Sequence, residues 1–250
     1  MEGNHVEATT VEALLADMLP FWDELPPEAR REIAAAAVYS AFDRDAIIFG
    51  VHENDNLGIK LIVKGSVRVY LMTDEGDELT LYRLRERRVC MMSVLITARL
   101  NGPPVNVEAR AGSLILTVPA PLYRRLIAEH SCVYRFSVEA TSEVFRRVVE
   151  KTTSVAFVPL KRRLAAALLE RAHVGRSSAQ EHAVRLKVTH DELAHDIGSA
   201  REAVSRMLKQ LVREGLVTLS RGSVTIVNVR DLELAAGEAR DYRPPMHKEA

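Results

Sequence analysis

Residues 190–211, HDELAHDIGSAREAVSRMLKQL, set ionisable side chains around an apolar spine with one glycine near the middle. Thr189 followed by Glu192 is a capping box: the threonine hydroxyl accepts from first-turn amides while the carboxylate reaches back, so a helix begins here. Ser199 followed by Glu202 repeats the signature. Between the two, Gly198 permits the left-handed backbone that ends one helix and turns into the next, and Gly215 closes the second. The expected unit is helix, tight turn, helix.

The second helix has two faces. Val204, Met207 or Leu208, and Leu211 share one, while Arg201, Glu202, Ser205, Arg206 and Lys209 fall on the other. In a helix-turn-helix the second helix enters the DNA major groove N-terminus first, which brings Arg201 to Arg206 to the base edges. Arg206 can donate both fork nitrogens to guanine, and Glu202 can accept from cytosine N4. A G·C pair is therefore expected in each half-site. Ser205 can meet a base or a thymine methyl, and Lys209, Lys161 and Arg221 suit phosphates, with Ser199 and Thr189 at the helix starts. Two plainer readings stay open: Glu202 as a capping partner only, and Arg221 as a solvated turn charge. His190 and His195 lie five apart, about 140° around a helix, unlike the four-residue spacing of a zinc-binding HExxH pair, so no metal is expected.

The elements that must hold this helix follow from the flanking pattern. LVTLSRGSVTIVN reads as a hairpin turning at Arg221-Gly222, a wing. LKRRLAAALLERA ahead of it is an amphipathic helix, and GRSSAQEHA a polar loop. Residues 159–230 carry 13 Lys/Arg against 7 Asp/Glu, while residues 1–158 carry 18 against 22. A basic module thus follows a mildly acidic one, although the whole chain is neutral at 34 of each sign.

Upstream, residues 11–42 look like one or two short helices punctuated by Pro20, Pro26 and Pro27. From about 45 to 119 the apolar period becomes two: IKLIVKGSVRVYLM is a pair of strands joined at Lys64-Gly65, TDEGDELTLYRL a turn and strand, and VNVEARAGSLILTV two more split at Gly112. Several short strands at regular spacing argue for an antiparallel barrel or sandwich. After Pro121 the helical period returns, and Val133, Phe136, Ala140, Val144, Val148, Thr152 and Val155 form a long seam. That seam either lies on the chain's own barrel or meets a second copy in a parallel dimer. The tail, 236–250, reads as disordered.

Two hundred and fifty residues at 47% hydrophobic content suffice for one large domain or two ordinary ones. Cys90 and Cys132 are too few for a disulfide framework and suit a reducing cytoplasm. Neither a spanning apolar run nor a signal peptide is evident. Glycine-rich phosphate loops, a GxSxG elbow and a Cys/His nucleophile context are missing, which argues against an enzyme. A winged helix that contacts protein instead of nucleic acid is the third class.

VTHDELAHDIGSAREAVSRMLKQLVREGLVTLSRGSVTIVN, together with LIVKGSVRVY, DEGDELTLYRL and the long helix between, resembles the bacterial Crp/Fnr regulator superfamily over about residues 11–230. The resemblance implies an α+β chain: a jelly-roll (double-stranded β-helix) effector barrel with N-terminal helices over 1–130, a dimerisation helix and hinge over 131–158, and a winged helix-turn-helix over 159–235. Glu202-Ala203-Val204-Ser205-Arg206 is similar to the E-x-x-S-R reading pattern of the Fnr branch. It implies a homodimer on a palindrome with half-sites related to TTGAT, and surface loops that contact RNA polymerase.

The effector departs from the family pattern. Members that bind cyclic nucleotides hold the phosphate with a Gly-Glu pair and an Arg-[Ser/Thr] segment, where this chain has Met91-Met92 and Pro103-Pro104. The expectation is that cAMP does not bind through the usual pocket. A four-cysteine iron–sulfur cluster is excluded by the two cysteines in the chain. Cys90-Met91-Met92-Ser93 resembles the cysteine-bearing segment of haem-based CO sensors, so a haem pocket sensing CO or NO is the alternative, with His52 and Met72 as further ligand candidates; a thiol and two thioethers that simply fill the barrel is the plainer reading.

Overall fold

A computed structural model describes residues 8–49, 57–91, 105–173 and 183–237. The chain divides into two compact units, residues 1–151 and 152–250.

In the first unit two helices, α1 (Ala8–Met18) and α2 (Pro27–Ala36), flank a short 3-10 turn at Trp22–Glu24. The strands are β1 (Val38–Phe42), β2 (Ala46–Phe49), β3 (Gly58–Lys64), β4 (Ser66–Met72), β5 (Glu78–Arg85), β6 (Arg88–Cys90), β7 (Val105–Ala109) and β8 (Ser113–Pro119). They pair antiparallel into two four-stranded sheets, β1-β8-β3-β6 and β2-β7-β4-β5, the jelly-roll arrangement expected. Residues 38–42, expected to continue the helical region, are instead β1, registered from Val38↔Thr117 to Phe42↔Ser113. Pairing with β8 outweighs the helical preference of the alanines before it.

β3 explains how the sheets are filled. Its residues Gly58–Ile62 are all buried, because each face of the strand is covered. Ile59 and Leu61 join a cluster with Leu15, Trp22 and Ile33 from the N-terminal helical segment. Ile62 turns the other way, into a cluster with Val67, Val69, Tyr82, Leu84, Cys90, Val107 and Ile115 drawn from both sheets. Lys60 shares that parity, registers opposite Cys90 and Thr117, and is 1% exposed.

Two helices follow, α3 (Ala120–Glu129) and α4 (Ser131–Phe157), broken at His130, whose backbone is extended (φ −127°, ψ 113°). The seam expected through Val133, Phe136, Ala140 and Val144 faces inward and does not form an outer surface. Val133 is fully buried, Phe136 meets Phe21 with ring centroids 5.1 Å apart, and Ala140 packs on the same cluster. Val144 packs on the inter-sheet cluster. Val148 and Val155 are half-buried. The outward apolar stripe lies one residue further round: Tyr134, Val138, Phe145 and Val149, with Phe145 69% exposed. Periodicity marks a stripe but cannot say which of two adjacent ones the barrel covers. Beneath α4, the Tyr123 hydroxyl and Ser137 Oγ are 2.8 Å apart, and burial pushes the phenol up to about 12.

The second unit contains α5 (Leu160–His173), β9 (Val184–Lys187), α6 (His190–Ile197), α7 (Arg201–Arg213), the hairpin β10 (Val217–Ser220) and β11 (Ser223–Ile226), and α8 (Val229–Ala236). Leu164, Leu168, Leu193, Val204, Leu208, Leu211, Ile226 and Leu232 share one core. The hairpin turns at Arg221-Gly222 as expected. The sheet is three-stranded, β10-β11-β9, with β9 registered on β11 from Lys187↔Ser223 to Val184↔Ile226. Neither β9 nor α8 was anticipated, although Val184, Leu186 and Val188 alternate. The expected tail lies outside the described residues beyond Gly237.

Candidate nucleic-acid interface

The capping box at Thr189 is complete. Thr189 Oγ1 accepts from the Glu192 amide at 3.1 Å, and Glu192 Oε2 accepts from the Thr189 amide at 2.9 Å. At the other end of α6, Gly198 is left-handed (φ 61°), the conformation in which a Cβ would be strained. The carbonyls released there are met by Arg163 of α5, whose Nη1 donates to Ile197 O at 2.5 Å and Gly198 O at 3.3 Å. Burial lowers the Arg163 guanidinium from its ordinary value. Arg171, also on α5, bonds Asp196 through Nε at 2.7 Å, so one helix holds α6 at two points.

The second capping box does not form. α7 starts one residue later than expected, with Ala200 at the cap and no side-chain hydrogen bond there. Ser199 lies outside the cap position, so its hydroxyl is not the first-turn acceptor. Glu202 is consequently not a capping partner.

The two faces of α7 are as the spacing predicts. Val204, Leu208 and Leu211 are at 0% exposure, while Arg201, Glu202, Arg206 and Lys209 are exposed. Among the described residues, Glu202, Arg206 and Lys209 engage no protein side chain. Arg201 Nε lies 3.5 Å from Asp191 Oδ1. Ser205, half-buried, sits with its Oγ 2.7 Å from Nδ1 of His190, a contact that reading α7 alone could not reveal. Lys161, expected on phosphate, donates to Glu214 Oε1 at 2.7 Å, and that bond and one from Gln210 lower the Glu214 carboxyl below its ordinary value. Arg221 is exposed at the tip of the hairpin. Thr189 is exposed as well, with its oxygen engaged in the cap.

Of the expected effector segment, Cys90 and Met91 are described. Cys90 packs in the inter-sheet cluster, whereas Met91, the next residue, packs in the helix-side cluster. Met92, Ser93, His52, Pro103 and Pro104 lie outside the described residues. Near Cys90 the Tyr82 hydroxyl is buried without a hydrogen-bond partner among the described residues, and the Arg147 guanidinium lies 5.7 Å from the Tyr82 ring centroid. Burial raises the Tyr82 phenol and lowers the Lys60 ammonium to about 8. Among the described residues no group of three or more His, Cys, Asp and Glu could hold a metal ion, and no helix is long and apolar enough to cross a membrane.

Residues 162–235 match the Crp-like helix-turn-helix domain. The chain is similar to a Crp/Fnr-family protein of known structure from Eubacterium rectale, at 30% identity over 87% of this chain and 97% of that one, with a TM-score of 0.78. It is 28% identical to the transcriptional regulator SdrP of Thermus thermophilus over 184 residues, 69% of this chain and 80% of SdrP. A second regulator of that organism, LdrP, is 28% identical over 185 residues, 68% of this chain and 93% of LdrP. With its two antiparallel sheets, its winged helix-turn-helix and a relative matched along nearly its whole length, the chain belongs to the Crp/Fnr family of transcriptional regulators.

Proposed function

We propose that the protein is a homodimer that reads a TTGAT-like palindrome with α7 and responds to an effector other than cAMP. The observation that carries the DNA reading is the outer face of α7, where Glu202, Arg206 and Lys209 are exposed and, among the described residues, uncommitted, while Val204, Leu208 and Leu211 on the opposite face are fully buried. Arg206 takes guanine O6 and N7, Glu202 takes cytosine N4, and Ser205 meets the neighbouring base. Lys209, Arg221 and the first turns near Thr189 and Ser199 lie along the phosphates, with Arg201 released from Asp191 to join them. RNA polymerase is the further partner the family resemblance implies.

The homodimer reading uses the corrected stripe. Tyr134, Val138, Phe145 and Val149 recur at spacings of four, seven and four, and a groove of about 250 Å³ beside them is lined by Ile127, Ser137, Thr141 and Ser142. Two copies of α4 running parallel would cover both. Against cAMP stands the packing between the sheets, where Tyr82, Leu84, Cys90 and Val107 occupy the interior. The effector and DNA then act as linked ligands if both favour the same dimer state.

A mobility-shift titration tests the DNA reading. Specific binding to a TTGAT palindrome is expected to fall steeply with added salt. Arg206→Ala is expected to relax preference at one base pair, and Lys209→Ala to weaken all sequences alike. Identical behaviour of the two variants would refute the assignment of roles.

A further inference from the structure

We propose that His190, which lies off the reading helix, is a specificity-determining positioning residue: it sets whether the Ser205 hydroxyl offers a base a proton or a lone pair. The inference deepens the DNA reading above and rests on it.

A serine hydroxyl has one proton and two lone pairs, so alone it can serve either a donor or an acceptor on a base edge. At 2.7 Å from Ser205 Oγ, His190 Nδ1 removes that freedom. When Nδ1 carries no proton, Ser205 donates into it, and only lone pairs remain for the groove; these suit cytosine N4 or adenine N6. When Nδ1 carries the proton, Ser205 accepts, and its own O–H is free for guanine O6 or N7 or thymine O4. The tautomer of the imidazole thereby becomes a choice of base.

The local structure makes His190 fit for this. It is the first helical residue of α6, behind a completed capping box, so its backbone is fixed by the Thr189 and Glu192 bonds on either side. Both His190 and Ser205 are half-buried, which shields the contact from competing water while leaving one side of the hydroxyl open. The adjacent Asp191 lies 3.5 Å from Arg201, so the first turn of α6 meets α7 at two points.

The test is a set of equilibrium titrations of the full-length protein against duplexes in which each base pair of the half-site is varied singly. Wild type, His190→Ala, His190→Asn, Ser205→Ala and the His190→Ala/Ser205→Ala double variant are compared. Ser205→Ala identifies the base pair that Ser205 reads. At that pair His190→Ala is expected to reduce the preference about three- to tenfold, the range a neutral hydrogen bond commands, while preferences assigned to Arg206 and Glu202 persist. The double variant should discriminate no less than Ser205→Ala alone, since both changes remove one device. His190→Asn, which puts an amide atom near the position of Nδ1, should restore a preference at the same pair. A uniform loss across all duplexes in His190→Ala, or none anywhere, overturns the proposal. A wild type that distinguishes no base pair sinks the DNA-reading assignment, and the inference falls with it; a discriminating wild type matched everywhere by His190→Ala sinks the inference alone.

Discussion

Lys60→Met should stabilise the barrel, and the gain should depend on pH in a direction fixed by the geometry. The Lys60 side chain lies on the inter-sheet face of β3 opposite Cys90, at 1% exposure. Burial strips water from the ammonium and lowers its pKa from 10.5 to about 8, while the Cys90 sulfur nearby pulls the other way. Between those two values the unfolded chain holds a proton that the folded chain has lost, so the wild type gains stability as pH rises through this window. Below pH 8 both states are protonated and the folded state bears the full penalty. At about 1.4 kcal/mol per tenfold change in proton affinity, the interval comes to about 3 kcal/mol. Methionine has similar length and no charge, so Lys60→Met is expected to gain about 3 kcal/mol at pH 7, about 2 at pH 9 and under about 0.5 near pH 10.5. Urea titrations followed by the fluorescence of Trp22 report on this unit, since Trp22 is the single tryptophan and is buried within it. A variant less stable than wild type at pH 7, or a gain that stays constant from pH 8 to 10.5, would show that desolvation of the ammonium is not what Lys60 contributes.

Two substitutions on α4 separate its inner and outer faces: Phe145→Glu should leave the fold intact and shift sedimentation toward monomer with at least a tenfold loss of operator affinity, whereas Val133→Glu should unfold the barrel unit, its carboxylate having no water or partner at a fully buried position. Gly58→Ala should destabilise the same unit by about 1–3 kcal/mol or more, because a Cβ there would lie 2.1 Å from the Val118 carbonyl oxygen; a lowered urea midpoint on Trp22 fluorescence is the readout.

What the sequence made legible were features that one segment decides by itself. The capping box at Thr189, the turn at Gly198, the two faces of α7 and the hairpin at Arg221-Gly222 each depend on residues within a few positions of one another, and each is present. The features that stayed open or came out differently depend on what arrives from elsewhere. Val133 and Tyr134 are neighbours on α4, and only the helices and sheet beneath decide that the first is core and the second is surface. β1 is a strand because β8, some seventy-five residues later, supplies its partner. Cys90 and Met91 read as one cluster in the sequence, yet Cys90, the last residue of β6, packs between the sheets while Met91, just past the strand, packs toward the helices. Ser205 shows the same division inside the site itself. Its place on the outer half of α7 follows from spacing, but its contact with His190, fifteen residues earlier and on another helix, does not. On the DNA reading proposed above, a recognition code taken from α7 alone is incomplete at one position, because the His190 Nδ1–Ser205 Oγ contact involves a residue outside that helix.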